Sequence, residues 1–298
     1  MSRLAIPDTA VDSPYRVPGD GSFRVGGSPT APPPEPPGKK QLRKERKALT
    51  RQLGDLQRRL FAEQRRSLLV VFQAMDAAGK DSTIRAVMSG VNPAGCSVHG
   101  FRAPTRQELD HDFLWRTSRV LPRRGTIGIF NRSYYEEVLV VRVHPSFLQG
   151  QRIDLPDDLD ALWPQRLTSI AEHEAHLARQ GTVIVKFWLN VSRETQRQRL
   201  LARIDNPDKH WKFNEGDLDE RQHWDAYMAA YEDALQATSR PWAPWYAIPA
   251  DDKPFMRRAV ADILVRTLQR MDPRYPVVAD DVQARLQALR GRIDEVGE

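Results

Sequence analysis

The chain has 298 residues, of which 40% are hydrophobic and 28% charged, and a single cysteine, Cys96. That length and apolar content allow a sizeable core, so a mini-protein is excluded, and one cysteine excludes both an intrachain disulfide framework and a clustered thiolate metal site. The net charge of +6 and pI near 9.5 suit a polyanionic partner, whether nucleic acid, an anionic membrane surface or a phosphate polymer, and charge alone does not choose among them.

The opening MSRLAIPDTA lacks the continuous apolar core of a secretory signal. No stretch approaches the roughly 18–20 apolar residues that cross a bilayer. A soluble, cytoplasmic protein in a reducing compartment is therefore expected. Residues 1–38 are rich in Gly and Pro, culminating in Pro32-Pro33-Pro34-Glu35-Pro36-Pro37, and read as an extended arm or a disordered tail. From 39 to about 66, Leu42, Leu49, Leu53, Leu56 and Leu60 recur among charged residues, the pattern of an amphipathic helix. A core then runs over 67–275. Within it, short apolar runs at 68–73, 97–101, 126–131, 183–189 and 244–248 read as five strands, and the stretches 161–180, 192–204 and 217–237 read as helices, with Ser192 as an N-cap. The alternation predicts an α/β fold with a five-stranded parallel sheet covered on both faces. Residues 276–298 carry a final helix from about 280 to 292, and no internal repeat is visible.

In such sheets the ligand crevice lies beyond the C-terminal ends of the strands. Two turns should meet there: 74–80 after the first strand and 132–137 after the third, with Arg65 and Arg66 at the opposite edge. The first turn belongs to LLVVFQAMDAAGKDST, residues 68–83. A buried strand, backbone N–H groups turned inward around Gly79 and a helix N-terminus together make an anion cradle, to which Lys80 adds a full charge. The spacing departs from the usual G-x-x-x-x-G-K-[ST], because Ala74 stands at the first glycine and Asp81 at the metal-binding hydroxyl. The alternative is a strand-to-helix turn with a solvated lysine.

The second turn, in GTIGIFNRSYYEEV at 125–138, carries Asn131, Arg132, Ser133, Glu136 and Glu137. Arg132 suits bidentate binding of phosphate oxygens, and Glu136 suits orientation of a magnesium ion or its water. Acidic residues that merely stabilise a helix N-terminus are the competing explanation. A third segment, RIDNPDKHWKFNEGDLDER at 203–221, follows a helix already bearing Arg193, Arg197 and Arg199. Its Arg203, Lys209 and Lys212 suggest a basic flap closing over phosphates and excluding water, against a plain surface loop. The histidines, including His99, His111, His144 and His210, show no metal-ligand spacing and read as structural or surface residues.

At these places the sequence resembles the polyphosphate kinase 2 family. The resemblance is carried by MDAAGKDST at 75–83, GIFNRSYYEEVLVVRVHP at 128–145, NPDKHWKF at 206–213 and SGVNPAGCSVHGFRAPT at 89–105, and it spans roughly residues 40–270. It implies a P-loop kinase-like three-layer α/β/α sandwich with a helical lid at about 203–225. The implied activity is reversible, magnesium-dependent transfer of a terminal phosphate from inorganic polyphosphate to AMP or ADP, with guanine nucleotides as further acceptors and Mn2+ as a substitute ion.

Carried over by position, Asp76, Lys80, Arg132 and Glu136 become catalytic, with Asp76 and Glu136 toward the metal. Ala77, Ala78, Gly79, Asp81, Ser82, Thr83, Asn131, Arg203, Lys209 and Lys212 become phosphate- or nucleotide-binding. An acidic residue at Glu136 resembles the subgroup that uses both monophosphates and diphosphates. Asn131, in place of the more familiar family aspartate, agrees with that subgroup. The resemblance also implies AMP, ADP and ATP as ligands, no nucleic acid, no membrane and a homo-oligomer, dimeric or tetrameric. The other readings are an ATP-dependent small-molecule or polynucleotide kinase and, from the basic pI and the Lys/Arg-rich stretch 39–51, a non-catalytic nucleic-acid binding module.

Overall fold

The computed structural model describes residues 6–212 and 214–296, with residues 212, 291 and 294–296 described by backbone alone. In chain order the main elements are α1 (Lys39–Glu63), β1 (Ser67–Gln73), α2 (Lys80–Val87), β2 (Cys96–Gly100), β3 (Ile127–Asn131), α3 (Leu162–Arg179), β4 (Thr182–Asn190), α4 (Arg193–Ile204), α5 (Gly216–Gln222), α6 (Trp224–Thr238), β5 (Trp245–Pro249), α7 (Lys253–Met271) and α8 (Asp280–Val296).

All five strands are parallel, in the order β2-β3-β1-β4-β5. The central strand β1, SLLVVFQ, is buried at every residue, which is why it reads as a continuous apolar run and not as an alternation. α1, α2 and α7 pack together on one face of the sheet, and α3 and α6 cover the other. This is the three-layer α/β/α arrangement that the sequence led us to expect. Among the described residues no helix is long and apolar enough to cross a membrane.

Two departures matter for the site. The helix expected over 217–237 is two helices, α5 and α6, separated at His223, where a cluster of side chains fills the bend: Glu220 accepts from the Tyr227 hydroxyl and lies 2.9 Å from His144 Nε2, whose ring packs against that of His223. α7 was not anticipated at all. Asp252 caps it by accepting from Phe255 N at 2.8 Å, Pro254 occupies its first turn, and Met256, Val260, Ile263, Leu264 and Leu268 are buried along it.

The Pro- and Gly-rich N-terminal segment is extended and held against the body. Val17 N donates to Trp245 O at 2.9 Å and Ala247 N to Tyr15 O at 2.8 Å, so the segment runs antiparallel along the free edge of β5. Val11 and Val17 are buried there, and the Tyr246 hydroxyl bonds the Val11 backbone.

Candidate active site

The parallel register aligns the carboxyl ends of β1 and β3, pairing Phe72 with Asn131, so the turns that follow them share one edge of the sheet. After β1 the chain bends through two residues in the left-handed region, Ala77 at φ 61° and Gly79 at φ 112°. Glycine is the residue that adopts the second of these without strain. Lys80 then starts α2, its side chain buried and folded back across the loop so that Nζ donates to Ala74 O at 2.7 Å.

Arg132 leaves β3 in the left-handed region, at φ 64°, with its N–H donating to Phe72 O at 3.0 Å. The guanidinium bridges two carboxylates: it donates to Asp76 Oδ1 at 2.7 Å and lies 3.4 Å from Glu136 Oε2. Gln73 Nε2 donates to the other Glu136 oxygen at 2.8 Å. Burial pushes the Asp76 carboxyl upward, but Lys80 and Arg132 outweigh it and hold the group below the usual aspartate range. Burial, then repulsion from Arg132, lowers Lys80. Arg132 itself is raised by Glu136 and, against the effect of burial, by Asp76.

The turn carrying Arg132 and Glu136 is fixed from below. Tyr134 donates to Glu174 Oε1 of α3 at 2.9 Å, the Tyr135 hydroxyl lies 2.9 Å from the same oxygen, and Lys186 of β4 donates to the Tyr135 hydroxyl at 3.0 Å and pairs with Glu174. All of these groups are buried.

The loop after β1 is held from α4 as well. Arg199 donates to Ala78 O at 2.7 Å and, across the cleft, to Ala250 O at 2.6 Å beyond β5, while Gln196 donates to Asp76 O at 3.1 Å.

Two cavities meet at Asp76. One, of about 390 Å3, is lined by Gly79, Lys80, Arg199, Arg203, Lys209 and Lys253, with Arg85 and Arg257 at its side and, among the described residues, only Asp76 and Asp81 as anionic residues. The other, of about 70 Å3, lies among Asp76, Arg132, Glu136, Glu220, Tyr227 and Tyr231. A larger open groove of about 870 Å3 between α3 and α6 contains no residue of either turn, so the phosphate chemistry is assigned to the smaller, charged pair.

Several expected ligand residues sit elsewhere. Thr83 is fully buried against Met256 and Ala78 is closed off, its carbonyl taken by Arg199. Neither side chain lines a cavity here: the first turn of α2 lies on α7, which covers that face. Ser82 lines the cationic cavity and donates to Gly79 O at 3.0 Å. Asn131 donates its amide to Asp81 and lines neither cavity. Arg203 pairs with Asp217 at 2.8 Å, Lys209 faces the cavity, and the Lys212 side chain lies outside the described residues.

Arg199, Lys253 and Arg257 were missed as site residues. Arg199 stood in the noted basic run of its helix. Lys253 was legible only through the Asp252 cap and Pro254 that start α7.

The residues present fit a divalent cation that arrives with phosphates. Among the described residues no three His, Cys, Asp or Glu side chains gather as a metal cage. Magnesium, however, is commonly held by one or two carboxylates plus substrate phosphates. Asp76 Oδ1 is taken by Arg132, while Oδ2 accepts no hydrogen bond among the described residues and is free for that role.

Comparison with known proteins gives a consistent set of likenesses. The family model for polyphosphate kinase 2 (PPK2) matches residues 37–276. The chain is 50% identical over 242 residues to the ADP-polyphosphate phosphotransferase of Rhodopseudomonas palustris, covering 81% of this chain and 84% of that one. It is 47% identical over 263 residues to the AMP/ADP-polyphosphate phosphotransferase of Meiothermus ruber, covering 88% and 94%. The crystal structure of Polyphosphate Kinase 2 from Arthrobacter aurescens TC1 superposes with a TM-score of 0.85 at 37% identity, covering 95% of this chain and 99% of that one.

Proposed function

Because the chain belongs to the polyphosphate kinase 2 family, we propose that it transfers the terminal phosphate of inorganic polyphosphate to AMP and ADP, reversibly, in the cleft between the two cavities. The observation that carries this reading is their junction at Asp76, with a cationic cavity on one side and a smaller one beside Arg132 and Glu136 on the other. The donor polymer occupies the cationic side and the acceptor phosphate the other, so the bond is exchanged where Lys80 and Arg132 converge on Asp76.

An acceptor phosphate oxygen is already ionised near neutral pH, so no strong general base is needed. Asp76 positions and does not abstract. Lys80 and Arg132 neutralise charge that spreads over the transferred phosphoryl group, and the loop holds donor and acceptor in line. A magnesium ion, or manganese in its place, would be held by Asp76 with Glu136 nearby and would supply charge neutralisation to the phosphates. Arg203 and Lys209, with Lys212 beyond them, belong to a lid over the donor. Glu136 supports use of monophosphate as well as diphosphate acceptors, and guanine nucleotides are included as further acceptors by resemblance to the family and not on account of Glu136. We take the working form to be a cytoplasmic homo-oligomer, by its family.

The test incubates nucleotide-free protein with magnesium and either AMP or ADP, offering inorganic polyphosphate or ATP as sole donor, and resolves all adenine nucleotides by chromatography. ATP from ADP and ADP from AMP with polyphosphate alone are expected. Transfer to AMP from ATP but never from polyphosphate would turn the reading into that of an ATP-dependent kinase.

A further inference from the structure

Ser28, Pro29 and Thr30 belong to the N-terminal segment and precede the residues that the family model matches, yet they reach the carboxyl edge of the sheet. The contact is made by Asn190, the last residue of β4. It is 4% exposed, and its Nδ2 donates to Ser28 O at 3.0 Å and to Pro29 O at 3.2 Å. Asp251 N donates to Thr30 O at 2.9 Å. Three successive carbonyls of an irregular stretch are thus engaged, two by one buried side-chain amide and the third by the backbone of the turn that follows β5. A buried amide left without acceptors is costly, so Asn190 and the segment hold each other in place.

That turn carries groups of the donor side. Ala250 N donates to Asn190 O at 2.9 Å, and Asp251 Oδ1 accepts from Ser192 N, at the start of α4, at 2.8 Å. Arg199 of α4 donates to the carbonyls of Ala250 and Asp251 and also to Ala78 O in the loop after β1. Lys253 follows directly, starting α7 and lining the cationic cavity. Burial, then Arg199, Arg257, Lys209 and Arg203, lower Lys253 to about 8, as expected of cations crowded together. Like charges so placed repel, and a turn free to move would let Lys253 swing away from the others. The bond from Asp251 N to Thr30 O, with the Asn190 contacts beside it, opposes that movement.

We propose that Asn190 is a positioning residue for donor binding: it anchors residues 28–30 against the turn 250–252 and so keeps Arg199 and Lys253 at the donor cavity. The role rests on the polyphosphate-donor reading and adds to it a stretch of chain that touches no substrate.

The experiment measures KM for polyphosphate, KM for ADP and kcat in wild type, Asn190→Asp, Pro29→Gly and Val17→Ala, each checked for folding by thermal unfolding. Asn190→Asp keeps the size of the side chain and turns its donor into an acceptor facing two carbonyls. Pro29→Gly changes an exposed residue and loosens the segment through backbone freedom, leaving Asn190 in place. Val17→Ala weakens the docking along β5 without touching the anchored carbonyls. In Asn190→Asp the KM for polyphosphate should rise about fivefold, the factor that one net hydrogen bond allows, with kcat and the KM for ADP within about twofold of wild type. Pro29→Gly should move the same constant the same way, less far. Val17→Ala should leave it unchanged even where thermal stability falls.

A pH series supplies a readout that a loss of stability would not move. Donor kcat/KM falls as Lys253 loses its proton, and in Asn190→Asp that fall should shift to higher pH. The cations facing Lys253, namely Arg199, Arg203, Lys209 and Arg257 with Lys80 and Arg85 of the same cavity, outweigh the carboxylates of Asp76 and Asp81, so a lysine drawn back from them returns toward its ordinary value. An unchanged KM for polyphosphate in folded Asn190→Asp and Pro29→Gly, equal rises for polyphosphate and ADP, a rise in Val17→Ala as large as in Asn190→Asp, or a pH limb that stays at its wild-type position would each overturn the positioning role while leaving the reaction standing. If wild type makes no ATP from ADP and polyphosphate, the functional reading fails and the positioning role with it.

Discussion

Asp76 sits where the charges of both turns meet: Arg132 holds one of its oxygens, Lys80 and Arg132 keep it ionised, and both cavities open onto it. Lys80→Ala removes the buried cation beside it and is expected to raise the barrier by about 2.7–4 kcal/mol, the scale of losing one preorganised stabiliser, measured as kcat at saturating polymer. Lys253 gives a pH signature. Burial, reinforced by Arg199, Arg257, Lys209 and Arg203, lowers it to about 8. The lysine is charged below that pH and neutral above it, so attraction for the polyanion is present on the acid side and fades as pH rises. Donor kcat/KM should therefore fall as pH climbs through about 8, a limb that reports the free enzyme. Lys253→Arg, charged throughout, should flatten it. Asp76, Lys80, Arg132 and Glu136 were legible in sequence because each lies in a short segment just after a strand. Lys253 and Arg257 were not, because they reach the cleft only through the packing of a helix more than 170 residues downstream of the loop.

The element that matters most to the proposed chemistry is the turn after β3, which a buried network holds in addition to its own backbone bonds, such as Glu136 N to Ser133 O at 3.1 Å. Glu174 and Lys186 lie on different elements, form a buried pair, and anchor Tyr134 and Tyr135, two of the three residues between Arg132 and Glu136. Glu174→Gln leaves the Lys186 ammonium without its counter-charge and should cost roughly 3–5 kcal/mol in urea unfolding. Adding Lys186→Met should recover a large part of that loss, because an apolar replacement removes the uncompensated charge. The two tyrosines appear in the sequence as part of a motif, but their buried partners are 39 or more residues away and leave no local signal. The strands were legible to within a residue or two, since apolar runs report burial directly. The break at His223 was not, because side chains from outside the helix fill it and neither Pro nor Gly marks it.

At the scale of the whole molecule, the sheet has an edge at β5 that the N-terminal segment closes. A free parallel edge invites pairing with other chains, and here Tyr15 and Val17 occupy its hydrogen-bonding groups while Val11 and Val17 bury their side chains. Removing residues 1–31 should lower stability in urea unfolding, by no more than the roughly 3–6 kcal/mol that burial of two valines contributes, since freeing the segment returns chain entropy. It should also raise aggregation, followed by light scattering. Composition alone, rich in Pro and Gly, could not reveal this docking, because two valines and a few backbone bonds spread over an irregular segment have no periodicity to read.

On the proposed function, phosphoryl transfer from polyphosphate occurs at the junction built by Asp76, Lys80 and Arg132. The most direct measurement is a single-turnover rapid-quench experiment, with enzyme in excess over radiolabelled ADP and polyphosphate as the sole donor, run on wild type, Lys80→Ala and Asp76→Asn. Labelled ATP should form in the wild type and slow by about 100-fold or more in both variants, whose folding is checked by thermal unfolding. Unchanged rates in the folded variants, or no labelled ATP from the wild type, would contradict the account.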